Sequence, residues 1–160
     1  MYDQDTSRMQ EAGIAYFRTL ISSQPIEIFE DILSSIPSLV IHQEISSIMT
    51  IPTREEIKDV IFSMSRNRAP GPNGFSADFY STCWDIVGTD LVHAIKEFFR
   101  RKVFPRSWKA TFITLIPKVV NLTSFRDFRP ISLCNVCYKV ISKIITTQLS
   151  IFLDRLISPE

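Results

Sequence analysis

Lys118 and Arg129 are the two residues whose types and spacing come nearest to a chemistry. Lys118 follows the apolar run "TFITLIP", Arg129 opens the extended run "FRPISL", and the polar turn "NLTS" separates the two runs. On a hairpin of that kind their side chains could converge on a phosphate, the guanidinium bidentate and the ammonium as a point charge, with Arg126 near them. Spacing alone favours the plainer account, solvated bases on a hairpin. Cys134 and Cys137 have the CxxC spacing of half a zinc site or a redox pair. A structural zinc needs four ligands, however, no second CxxC exists, and His42 and His93 are isolated. Core cysteines are the better account. The paired carboxylates Glu55–Glu56 and Glu30–Asp31 fall on helical stretches among polar neighbours, where surface charge explains them better than acid–base work. There is no GxSxG, HExxH or P-loop lysine pattern.

The elements that must position these residues are mostly helical. Two helices are expected over residues 8 to 36. Met9, Ala12, Ile14, Tyr16, Phe17 and Leu20 form a stripe in the first, and "PIEIFEDILSSI" restarts the pattern after Pro25. Residues 37 to 51 read as a connector. In "PTREEIKDVIFSM", Thr53 and Glu56 make a capping box, and Ile57, Val60, Ile61 and Met64 supply one buried face. That helix is expected to end near Arg68, ahead of "APGPNGF". Ser76 caps "ADFYSTCWDIV", Gly88 is expected to break it, and "DLVHAIKEFFRRK" follows as a helix with a basic last turn. Strands are expected at "TFITLIP" and "FRPISL". The chain closes on a long amphipathic helix, about 135 to 157, striped by Val136, Val140, Ile144, Ile145, Leu149, Phe152, Leu153 and Leu156. These elements add up to an α+β fold, mainly helical, with one β-hairpin.

Composition is that of a globular chain: 160 residues, 45% apolar and 22% charged. No apolar run approaches the roughly 20 residues of a membrane span, and the polar start is not a signal peptide. An intracellular place, nuclear or cytoplasmic, is expected, and three cysteines fit a reducing compartment. The net charge of +1 conceals an asymmetry. Residues 1 to 59 carry ten acids and four bases, and residues 60 to 160 carry seven acids and fourteen bases. Between 100 and 146 ten bases stand against one acid, Asp127. Such a stretch could attract a polyanion, although a solvated basic face explains charge alone equally simply.

Three longer stretches are more specific. "RNRAPGPNGFSADFYSTCWDIV", "FFRRKVFPRSWKATFITLIPKV" and "SFRDFRPISLCNVCYKVISKIITTQL", with the closing "LISPE", resemble the N-terminal part of a non-LTR retrotransposon (LINE-type) reverse transcriptase, an RNA-directed DNA polymerase, most like the plant ones. The likeness is close over residues 50 to 160, and "EAGIAYFRTLI" resembles the segment that joins endonuclease to polymerase. It implies a helical connector over 1–50 and, over 51–160, the fingers part of a right-hand polymerase, with palm and thumb missing. In that family the hairpin bases meet the incoming nucleotide's triphosphate and the RNA or DNA template; by position these are Lys118 and Arg129, with Arg126 nearby. The "APGPNGF" loop corresponds to a segment beside the template, which implicates Arg68, Gly71, Asn73 and Gly74. The family usually has aspartate where this chain has Asn73; asparagine supports the same turn but removes the charge.

The resemblance also implies what the chain does not carry. Polymerase chemistry uses two divalent metals, Mg2+ in the full-length family, held by palm aspartates in a KLD…AYD motif and an Asp-Asp pair. Both are expected beyond "LISPE", and neither Asp127 nor Asp154 matches them. The expectation is therefore a catalytically incomplete fragment with no cofactor of its own, retaining template or nucleotide-phosphate binding. The alternative is a non-enzymatic helical interaction module or a decayed gene-model remnant, self-associating through the exposed apolar face of its last helix.

Overall fold

The computed structural model describes residues 2–22 and 50–156. The expected helix at "PIEIFEDILSSI" and most of the connector lie outside the described residues. Helix α1 is Tyr2–Ile21, α2 Arg54–Phe62, α3 Ala77–Thr82, α4 Trp84–Arg101, α5 the single turn Arg106–Lys109, and α6 Val136–Leu156. Strands β1 (Thr111–Pro117) and β2 (Phe128–Cys134) pair as a two-stranded sheet between α5 and α6. Both strands contain the expected runs. Their register is set at each end. The backbone N–H of Lys118 donates to Asp127 at 2.7 Å, and Thr111 Oγ1 meets Cys134 Sγ at 3.3 Å.

Two compact units are built from these elements. One joins Ile113–Ile131 of the hairpin with the N-terminal segment, and the other joins residues 50–112 with the chain from Ser132 onward. In the first unit Phe17 is buried, and the rings of Tyr16 and Phe17 lie within 6.3 Å of Phe125. Gly13 is buried there as well, since a Cβ at that position would stand 3.2 Å from the Phe125 ring. The rest of the expected α1 stripe is open: Met9, Ile14 and Leu20 are exposed.

The second unit holds the larger core. Ile57 and Ile61 of α2, Ala77 and Tyr80 of α3, Trp84, Leu91, Val92 and Ile95 of α4, and Val136, Cys137, Val140, Ile141 and Ile144 of α6 form one cluster. The predicted capping box starts α2: the Glu56 N–H donates to Thr53 Oγ1 at 3.1 Å, and the Thr53 N–H donates to Glu56 Oε2 at 2.7 Å. Ser76 caps α3 one way, its Oγ accepting the Phe79 N–H at 3.2 Å.

Three expectations are corrected. Helix α2 ends at Phe62 rather than near Arg68, because Ser63 turns its hydroxyl onto the Val60 carbonyl and Met64 bonds back to Ile61 in a tighter turn. Gly88 does not break a helix. It is buried inside α4, where a Cβ would come within 2.8 Å of the Trp84 indole, so its smallness admits a ring rather than a bend. The actual break is at Cys83, between α3 and α4. The third concerns α6, whose stretch Val136–Leu153 is, by length and composition, apolar enough to cross a membrane. The short polar residues along it keep the average apolar. In the fold its apolar stripe is taken up by the core at Val136, Val140, Ile141 and Ile144, which leaves Leu149, Ile151 and Leu153 open near its C-terminal end.

Candidate nucleic-acid interface

The "APGPNGF" loop is built as a turn and bolted to the start of α6. The Gly74 N–H donates to the Gly71 carbonyl at 3.0 Å, with Pro72 and Asn73 in the two central positions, and Gly74 takes φ +78°. Proline at the second position and glycine at the fourth are the residues such a turn favours. Asn73 Oδ1 accepts from the Phe75 N–H at 3.2 Å, so the asparagine does support the turn through its side chain. Gly71 has a different task. A Cβ there would lie 2.4 Å from the backbone nitrogen of Asn135 and 2.5 Å from the carbonyl carbon of Cys134. This close approach of two stretches of backbone is what requires glycine here.

Asn135 completes the joint. Its side chain is buried, its Oδ1 accepts the Asn73 N–H at 3.0 Å, and its Nδ2 donates to the Ser107 carbonyl at 2.9 Å. One amide thus ties the loop, α5 and the junction of β2 with α6.

Beside this joint runs a cleft of about 600 Å³ between the Met64–Ala69 segment and the exposed side of α6, floored by Ser132 and Cys134. Among the described residues its cations are Arg68, Lys139 and Lys143, its hydroxyls include Ser142, Thr146, Thr147 and Ser150, and no carboxylate lines it. Lys139 Nζ reaches the Ala69 carbonyl at 3.4 Å, and no acid is paired with Arg68, Lys139 or Lys143 among the described residues. Helical spacing explains the lining, because residues 139, 143, 146, 147 and 150 recur on one side of α6 while the apolar residues occupy the other. The Thr146 and Ser150 hydroxyls donate to the Ser142 and Thr147 carbonyls of the same helix, so the uncompensated cations are what make this a surface for an anion that offers many oxygens.

The hairpin carries the other expected bases. Strand alternation, in the register given above, sets Arg129 opposite Ile116 and puts Lys118 two residues along on the same face. Lys118 does not point freely at that face: its Nζ donates to the Arg126 carbonyl at 2.8 Å. Arg126 and Arg129 are exposed. The turn between the strands is held by Asp127, whose Oδ2 accepts the N–H groups of Thr123 and Ser124 at 2.9 and 2.8 Å. Those two backbone bonds hold its carboxyl below the usual carboxylate range.

The remaining candidates do not gather into a catalytic centre. Cys137 is buried, its thiol pushed up by desolvation, and it touches the Tyr80 hydroxyl at 3.9 Å. It is a core residue, as expected. His93 is exposed on α4, and Glu56 is engaged in the α2 cap. His42, Glu30 and Asp31 lie outside the described residues. Among the described residues no group of three His, Cys, Asp or Glu side chains could hold a metal ion, so they do not fit the paired metals of a polymerase.

The cleft-lining residues Lys139 and Lys143 were not singled out from sequence. Their signal was present, a polar stripe at helical spacing on the side of α6 opposite its apolar one, with two lysines four residues apart.

The chain is 31% identical over 97 residues to the "Transposon TX1 uncharacterized 149 kDa protein" of Xenopus laevis. The aligned part is 61% of this chain and 7% of that protein, so the chain spans a small fraction of its relative's length. No protein-family model matches the chain.

Proposed function

We propose that the chain is a nucleic-acid-binding part of a retrotransposon reverse transcriptase, the fingers region, and that the cleft along α6 holds the sugar–phosphate backbone of a template strand. The observation that carries this reading is the lining of the cleft among the described residues: three cations, a row of hydroxyls and no carboxylate. Similarity to a transposon protein supports the origin, and the motif series "APGPNGF", "ITLIPK" and "FRPISL" supports the polymerase region. Lys139 and Lys143 stand four residues apart on α6, about 6 Å along the axis, so both can reach successive phosphates of one strand. Arg68 faces them from the opposite wall of the cleft and can bond a phosphate bidentately. The hairpin bases Arg126, Arg129 and Lys118 offer a second anionic contact, for template or nucleotide triphosphate, once Lys118 leaves the Arg126 carbonyl. Metal-dependent phosphoryl transfer is not assigned to the described residues.

Fluorescence anisotropy of labelled single-stranded RNA and DNA, titrated with the chain across a salt series, tests this reading. Binding that weakens steeply with salt is expected, and loss of affinity on replacing Lys139 and Lys143 by alanine places it in the cleft.

A further inference from the structure

Among the described residues a single aromatic ring stands in the cleft. Tyr138 lines it beside Lys139 and is 38% exposed. The Tyr138 ring is stacked on Phe104, centroids 5.4 Å apart and planes 30° apart, and Phe104 lies on Phe98 at 4.2 Å. Phe98 and Phe104 pack against the core of their unit. The result is a three-ring column whose inner members are fixed and whose outer member stands in an uncompensated cationic cleft. A core stack has no need to end there, and a phosphate alone has no use for a ring face.

Resting on the reading of the cleft above, we infer that it takes a single-stranded nucleic acid, with one unpaired base stacked on Tyr138 while Lys139, Lys143 and Arg68 hold the flanking phosphates. Aromatic faces accept any base, and a ring already immobilised by Phe104 loses little freedom when a base lies on it. A paired base has its faces covered by its neighbours, so a duplex offers only phosphates to this site. The inference therefore concerns strandedness and base contact, not sequence.

The test uses the full chain and three fluorescent probes of equal length: a thymidine or uridine homopolymer single strand, the same sugar–phosphate strand with abasic sites throughout, and a duplex. Tyr138→Leu removes the ring, Tyr138→Phe keeps it, and thermal melts establish that both variants are folded. The expected result is that the wild type binds the base-bearing strand about tenfold more tightly than the abasic strand, and that Tyr138→Leu erases this difference while Tyr138→Phe retains it. Abasic and base-bearing strands that bind wild type equally, or a Tyr138→Leu variant that keeps the preference, overturn the base-stacking inference and leave the phosphate cleft standing. Absence of binding to every probe overturns both. If Tyr138→Leu fails to fold, Tyr138→Phe and the abasic comparison in wild type still decide, since equal affinities for the two strands contradict the inference without any variant. Comparing the thymidine with the uridine strand separates DNA from RNA as the source of the phosphates.

Discussion

The backbone N–H of Asn73 donates to the side-chain oxygen of Asn135, 62 residues later, at 3.0 Å. Through this bond the Gly71–Gly74 turn is fastened to the residue that precedes α6, which makes one wall of the cleft depend on the other. The other end of the same amide holds Ser107.

Replacing Asn135 by alanine leaves the Asn73 N–H and the Ser107 carbonyl without their partner at a site with little room for water. A loss of about 2–4 kcal/mol is expected in denaturant unfolding. A variant as stable as the wild type contradicts the role given to this amide.

The two glycines of the turn are predicted to respond differently. Gly71→Ala sets a Cβ against backbone atoms at 2.4 and 2.5 Å that cannot rotate away, so it should cost about 3 kcal/mol or more and loosen the cleft. Gly74→Ala meets nothing within 4 Å and pays only for its positive φ, about 1–2 kcal/mol. Equal effects, measured by thermal or denaturant unfolding, contradict the packing argument.

Asp127 gives the hairpin a pH dependence of definite sign. Its folded carboxyl is held below the unfolded value by the Thr123 and Ser124 N–H groups, so its contribution is present above about pH 4 and is lost as pH falls through the lower folded value. Asp127→Ala should melt lower than the wild type at pH 7, and the gap should close in strong acid. A gap that stays constant down to pH 2 contradicts it.

What was legible in the sequence divides along physical lines. Local signals came through: the Thr53–Glu56 box, the Ser76 cap, and the two strands with their polar turn, because each depends on residues a few positions apart. Gly88 looks like a breaker in the sequence because its reason is a ring four residues away in the same helix, and glycine as a breaker and glycine as a packing gap look alike. The end of α2 was placed too late, because the hydroxyl of Ser63 ends the helix before Pro70 has any effect. In α6 the apolar stripe is legible in the sequence and the polar one opposite is not, since Lys139 and Lys143 gain meaning only with Arg68 across the cleft. Gly71 could not be read at all without the backbone of Asn135 beside it.

The salt dependence of single-strand binding tests the central claim most directly. If Arg68, Lys139 and Lys143 each neutralise one phosphate, log K should fall with log salt at a slope of about −2, and the double variant Lys139→Ala/Lys143→Ala should bind more weakly with a slope of about −0.7. No measurable affinity at low salt, or a slope that the double substitution leaves unchanged, contradicts a phosphate-holding cleft on α6.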